Sequence, residues 1–213
     1  MKPRGRLEKW LLAWAFALLA GAASAQIQLG REFQRVEPPH PTTAGNRVEV
    51  IEFFYYGCPL CYETEPFFSR WLGTVPEYVA LRRVPALSTE AWGPLAKLFY
   101  TLDALGQIGR LHWPVYDSFH FEDVRLNDEK IMADWAVRNG IDRQRFLGTY
   151  GSPEVAAKVA QARELLKAYD VRGVPTFIVD GKFLTSARLA GGTQQVIKVV
   201  DQLVRLAREE RLR

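Results

Sequence analysis

The stretch that most constrains this chain is Glu52 to Cys61, Glu-Phe-Phe-Tyr-Tyr-Gly-Cys-Pro-Leu-Cys, where an apolar strand runs into a two-cysteine turn that should open a helix. Cys58 and Cys61 are the only cysteines, and the two residues between them let the pair close a small disulfide ring or open to a dithiol. Pro59 follows Cys58 directly. A proline's fixed φ and missing N–H suit the first position of a helix, so Cys58 is predicted at a helix N-terminus. Unpaired backbone N–H groups and the positive end of the helix dipole there stabilise a thiolate, the species that attacks a disulfide. Cys58 is the predicted nucleophile. Cys61, one turn further in and more enclosed, should keep the pKa of an ordinary buried thiol and is the predicted resolving partner.

Two other uses of the spacing fit less well. A tetrahedral zinc site needs a second pair of ligands, and His40, His112 and His120 show no ligand spacing among themselves, so no metal is expected. A purely structural bridge closing so short a loop would constrain the unfolded chain very little. The expectation is a redox-active disulfide that needs no separate cofactor.

Residues 1–25 read as a secretory signal peptide: Lys2, Arg4, Arg6 and Lys9 ahead of the apolar run Trp10 to Gly21, then Ala23-Ser24-Ala25 as cleavage box. The apolar run is shorter than the roughly 20 residues needed to span a bilayer. The mature chain is therefore expected to start at Gln26. Removing four basic residues and Glu8 leaves 24 Lys+Arg against 23 Asp+Glu, a net charge of +1 rather than the +4 of the whole chain. So near-neutral a balance gives no reason to expect a nucleic-acid partner.

Along the chain, Gln26 to Val36 holds a possible strand before Pro38-Pro39-His40-Pro41, with His40 expected in an exposed loop. Val48 to Tyr56 reads as a strand buried on both faces. Glu49 is expected to face solvent. Glu52 must either point out of an edge or be buried, and burial would raise its pKa and make it a proton carrier. A helix from Pro59 should run to Gly73, kinked at Pro66, and Tyr78 to Val84 is the next strand candidate. Helical spacing then takes over. Leu95, Leu98, Phe99, Leu102 and Leu105 form one stripe, a second helix should be capped by Asn127, and Ser152-Pro153 should start the longest. Trp92, Trp113, Phe119 and Trp135 read as packing anchors, and His112 and His120 as core histidines of the same kind. Thr176 to Val179, an Asp180-Gly181 turn and Lys182 to Leu184 read as a hairpin, and Gly191-Gly192-Thr193 leads into a final amphipathic helix.

This order, with Glu-Phe-Phe before Cys58-Pro59-x-Cys61-Tyr62 and Val171-Arg172-Gly173-Val174-Pro175 before Phe177-Ile178-Val179-Asp180-Gly181-Lys182, resembles the DsbA family over the whole mature chain. The resemblance implies an α/β thioredoxin fold, a mixed sheet flanked by helices, split by an inserted all-helical domain: 26–88, then 89–167 as the insert, then 168–213. It implies a periplasmic thiol:disulfide oxidoreductase that donates its disulfide to unfolded or partly folded exported proteins bearing cysteines. A quinone-linked membrane oxidase resembling DsbB would reoxidise it, and the protein is expected to be monomeric. By the same resemblance Glu52 matches the buried acid beneath the active site, and Val174-Pro175 matches the cis-proline loop that pairs with substrate backbone.

The chain departs from the commonest DsbA pattern at Leu60, where that pattern has His and hence a donor or positive charge near the thiolate. Pro59 and Leu60 are thus the residues expected to tune the site. Pro66 is what thioredoxin itself has, which points to a less extreme redox enzyme. A reductase or isomerase of the same fold is the first alternative. Against isomerase stand the lack of room for an N-terminal dimerisation domain and Val174 before the proline. A secreted peptide-binding module with an inert disulfide is the second alternative.

Overall fold

The computed structural model describes residues 27–213, so the signal peptide and the start at Gln26 lie outside the described residues. A mixed five-stranded sheet is ordered β1-β5-β4-β2-β3: β1 Gln34–Arg35, β2 Val48–Phe54, β3 Val79–Pro85, β4 Thr176–Val179 and β5 Phe183–Ser186. β2 lies inside the sheet, parallel to β3 and antiparallel to β4, and every one of its residues is buried. Val48 and Val50 join Phe177 and Val179 in a core under α1 (Pro59–Leu72) and the C-terminal α8 (Thr193–Arg211). Ile51 and Phe53 belong to a second core, shared with the helices inserted between β3 and β4. These are α2 (Gly93–Ala104), α3 (Ile108–His120), α4 (Glu129–Arg138), α5 (Arg143–Tyr150) and α6 (Pro153–Ala168). A short α7 (Ala187–Ala190) follows β5.

Local chemistry explains the boundaries. Asp180 and Gly181 both have positive φ, 56° and 66°, and Lys182 N donates to Val179 O at 3.1 Å across them; the ladder pairs Val179 with Phe183, so the loop holds three residues instead of the expected two, because the Lys182 carbonyl is taken by Val36 N. A Cβ on Gly181 would run into the His40 carbonyl. The Ser152 hydroxyl accepts from Val155 N at 3.2 Å and caps α6.

Several expectations need correction. α4 is capped by Asp128, whose carboxylate accepts from Ile131 N at 3.0 Å, and not by Asn127. Among the described residues the longest helix is α8, with 19 residues against 16 in α6. Its amphipathic stripe has no proline or glycine to stop it. Glu49 is buried because the loop before β2 folds over it and Thr43 Oγ1 donates to its carboxylate at 2.5 Å. His40 is partly covered: its ring lies 4.5 Å from that of Tyr169, and its Nε2 pairs with Ala168 O at 3.0 Å. Trp113 is 40% exposed and stacks on Tyr62, so it is a surface residue and not a core anchor.

Candidate active site

β2 ends at Phe54, and the chain turns through Tyr55-Tyr56-Gly57 to put Cys58 at the N-cap of α1, with φ −91° and ψ 117°. Cys58 N donates to Tyr55 O at 3.0 Å, which closes the turn. A Cβ at Gly57 would sit 2.6 Å from the Tyr55 ring, so a larger residue there would have to push that ring off its stack on Trp92. Pro59 takes the first helical position, as its geometry favours.

Both thiols are free. Cys58 is half-buried, and its pKa is lowered to about 7, first by the Cys61 thiol donating to its sulfur and then by the backbone N–H groups of Cys61 and Leu60; partial burial and Glu63 oppose them. The helix N-terminus thus contributes as its backbone donors would suggest, but the partner thiol leads. Cys61 is fully buried, and burial together with the Cys58 sulfur pushes its pKa well above that of a free thiol.

Above Cys58 the Val174–Pro175 bond is cis, and the Val174 carbonyl lies 3.5 Å from Cys58 Sγ. This loop borders a groove of about 930 Å³ lined by Val36, His40, Tyr169, Leu184 and Arg188, with Leu60 at its edge. Leu60 is 46% exposed beside the reactive sulfur and brings no charge to it.

Glu52 lies on the floor, 1% exposed, and its pKa is raised to about 8 because burial outweighs the attraction of Arg83. Arg83 Nε donates to Glu52 Oε2 at 2.9 Å, and Arg83 Nη2 donates to Glu65 Oε1 at 2.7 Å. Beyond Glu65 come His112 and Tyr56, whose hydroxyl lies 2.8 Å from His112 Nδ1. The Cys61 thiol feels the negative charge of Glu52, so the carboxyl and the thiol share one buried region.

The structure therefore gathers Cys58, Cys61, Pro59, Leu60, Val174, Pro175 and Glu52 around one turn. Arg83, Glu65, His112 and Tyr56 were missed by sequence reasoning. Signals for two of them exist: Arg83 is a charged residue in the strand that pairs with β2, where it stands opposite Glu52, and Glu65 lies one helical turn past Cys61. His112 is buried as a core histidine would be, but its nitrogens face Tyr56 and Glu65 rather than carbon.

The model of the DSBA-like thioredoxin domain matches residues 77–204. A thiol:disulfide interchange protein DsbA from Azotobacter vinelandii is 37% identical over 192 residues, which is 89% of this chain and 90% of the relative. The protein of the same name from Bordetella parapertussis is 38% identical over 184 residues, 86% of this chain and 88% of its own. The crystal structure of Pseudomonas aeruginosa DsbA superimposes with a TM-score of 0.83 at 33% identity, covering 88% of this chain and 97% of that one.

Proposed function

Since the chain belongs to the DsbA family and is a thiol:disulfide oxidoreductase, we propose that it runs as an oxidase, donating a Cys58–Cys61 disulfide to exported proteins in the periplasm. In the first step a substrate thiolate attacks Cys58 Sγ. The S–S bond to Cys61 breaks, and Cys61 leaves as a thiolate that takes the proton held on Glu52. A second substrate thiolate then attacks the substrate sulfur of the mixed disulfide, and Cys58 leaves as a thiolate. Two electrons have passed to the enzyme. A quinone-linked membrane partner of the DsbB kind removes them, and Glu52 accepts the Cys61 proton as that thiol attacks again. No cofactor beyond the cysteine pair is called for.

The observation that carries this reading is the setting of Cys58, whose sulfur receives a thiol and two backbone N–H groups at the N-cap. A stabilised thiolate is a good leaving group, and it makes the reduced enzyme the stable form, which is what an oxidant needs. Val174 and Pro175 supply the backbone that would pair with an extended substrate. On the same reading 89–167 is a helical insert between 26–88 and 168–213, the signal peptide is removed near Ala25, and the working unit is a monomer.

The test is to assay oxidation of a reduced two-cysteine peptide alongside insulin reduction, and to measure the Cys58–Cys61 potential against glutathione. Fast peptide oxidation with weak insulin reduction supports the oxidase. The reverse ranking assigns the chain to the reductases, and inactivity in both assays would leave a binding module.

A further inference from the structure

The floor holds two buried carboxyl groups and one permanent cation, so a single negative charge is neutralised and the second carboxyl is left to carry a proton. Arg83 touches both acids. What separates them is the remaining donors. Ser69 Oγ donates to Glu65 Oε1 at 2.5 Å, and His112 Nε2 stands 3.5 Å from Glu65 Oε2. For Glu52, Arg83 is the one side-chain donor among the described residues.

The tautomer of His112 follows from its neighbours. Tyr56 OH lies 2.8 Å from Nδ1 and has no other side-chain acceptor among the described residues. Were Nδ1 protonated, that hydroxyl proton would lack an acceptor, and a bare Nε2 would face a carboxylate oxygen. With Tyr56 donating to Nδ1, the ring carries its proton on Nε2, pointed at Glu65 Oε2. One proton then serves two of the three buried side-chain atoms that otherwise have no partner among the described residues, Glu65 Oε2 and His112 Nε2, the third being Tyr116 Oη. Phe54, Phe99 and Tyr116 meet the ring edge-on at 5.2, 6.0 and 5.3 Å and hold it in that orientation.

We infer that His112 is a positioning residue whose Nε2–H holds the pair's one negative charge on Glu65 and thereby leaves Glu52 as the carboxyl that carries a proton beneath Cys61. This deepens the proposed role of Glu52 and rests on it. The ionisation of the groups agrees. Burial raises Glu52, whereas at Glu65 the same burial is outweighed by His112, Arg83 and Ser69, and that carboxyl is held below its usual range. Burial also holds His112 below its usual value, so the ring is neutral at neutral pH. The groups facing the pair are Arg83 from β3, Cys61 and Ser69 from α1, Tyr56 from the turn after β2, and His112 and Tyr116 from α3. β4 places the non-titrating Phe177 opposite Glu52.

The test is a ¹³C-carboxyl NMR titration of the full mature protein, with the Glu52 resonance assigned by Glu52→Gln. His112→Leu should lower the Glu52 midpoint by about one pH unit, roughly tenfold in proton affinity, because Glu65 then loses its hold on the charge. His112→Gln, which returns an N–H donor to the same place, should restore it. Glu65→Gln should lower the midpoint too, since Arg83 then serves Glu52 alone. An unmoved midpoint in His112→Leu overturns the inference, and so does a shift that His112→Gln fails to reverse. If His112→Leu does not fold, Glu65→Gln decides, and an unmoved midpoint there overturns it. The readout is on the carboxyl itself, so failure here is distinct from failure of the Glu52 proton role, which Glu52→Gln turnover kinetics reports.

Discussion

Around Cys58 negative charge is met by backbone N–H groups and one thiol, whereas beneath Cys61 it is met by side chains drawn from one strand and two helices, Arg83, Ser69 and His112. The rim is open to a groove and holds a thiolate near its working pH. The floor is almost wholly buried and holds a proton on a carboxyl whose pKa burial has raised to about 8. Two residues separate the two thiols in sequence, yet their pKa values move in opposite directions. One helical turn is enough to divide an attacking group from a resolving one, because a single N-cap position collects the free N–H groups while the position below it points into the core.

The sharpest way to break that contrast is to remove each thiol in turn. Cys58→Ala is expected to abolish exchange, with peptide oxidation falling to background. Cys61→Ala should instead let a mixed disulfide with substrate accumulate on Cys58, visible by mass spectrometry of the intact protein. In the reduced wild type, alkylation at pH 6 should label Cys58 well ahead of Cys61. Faster labelling of Cys61 would reverse the two roles.

The rim was readable from the chain because its parts are local. Cys-Pro-x-Cys after an apolar strand specifies an N-cap, a proline at the first position and a sulfur over free N–H groups, all within four residues. The hairpin was equally plain, since Asp180-Gly181 states its own turn, but nothing in those two residues shows that Lys182 joins the loop. The floor was readable only where one residue broke a pattern, as Glu52 does in its strand. Arg83, Glu65 and His112 lie 31, 13 and 60 residues from it in sequence, and their meeting depends on the β2–β3 register and on how α3 docks over α1. Glu49 went wrong for the same reason, because the loop that covers it is irregular and leaves no period in the sequence. His112 looked like packing because sequence shows a histidine in an apolar stripe but not which atoms its nitrogens meet.

A second prediction tests whether the floor really carries a buried proton. Glu52 has an ordinary value of 4.5 and a folded value of about 8, so between those limits the folded chain binds more protons than the unfolded one. The unfolding free energy must then fall as pH rises through that interval, with the loss complete above the folded value. Glu52→Gln keeps an acceptor for Arg83 but has no proton to lose, so this part of the slope should vanish. The variant should be the more stable protein at pH 9 by about 2–4 kcal/mol, with little difference at pH 4. Urea unfolding across that range is the measurement. Parallel curves for the two proteins would mean that Glu52 titrates like a surface acid.

The smallest expected effect lies at the rim and concerns Leu60, the position where chemistry absent from this chain can be added. Leu60 is half-exposed beside the sulfur, so a histidine there would have room and would bring a donor or positive charge toward the thiolate. Leu60→His should therefore lower the Cys58 pKa and make the enzyme more oxidising. The size follows from where Cys58 starts. With a pKa of about 7 the thiol is about half ionised at pH 7, so part of the possible gain has already been taken. Lowering the pKa by one further unit would stabilise the reduced form at pH 7 by about 1 kcal/mol, roughly 20 mV for a two-electron couple. The glutathione equilibrium of both proteins at pH 7, read beside the thiolate absorbance titration of Cys58, measures potential and pKa together. A pKa that drops while the potential stays put would show that the residues between the cysteines act on the oxidised form, and charge stabilisation at the N-cap would no longer account for the redox poise of the rim.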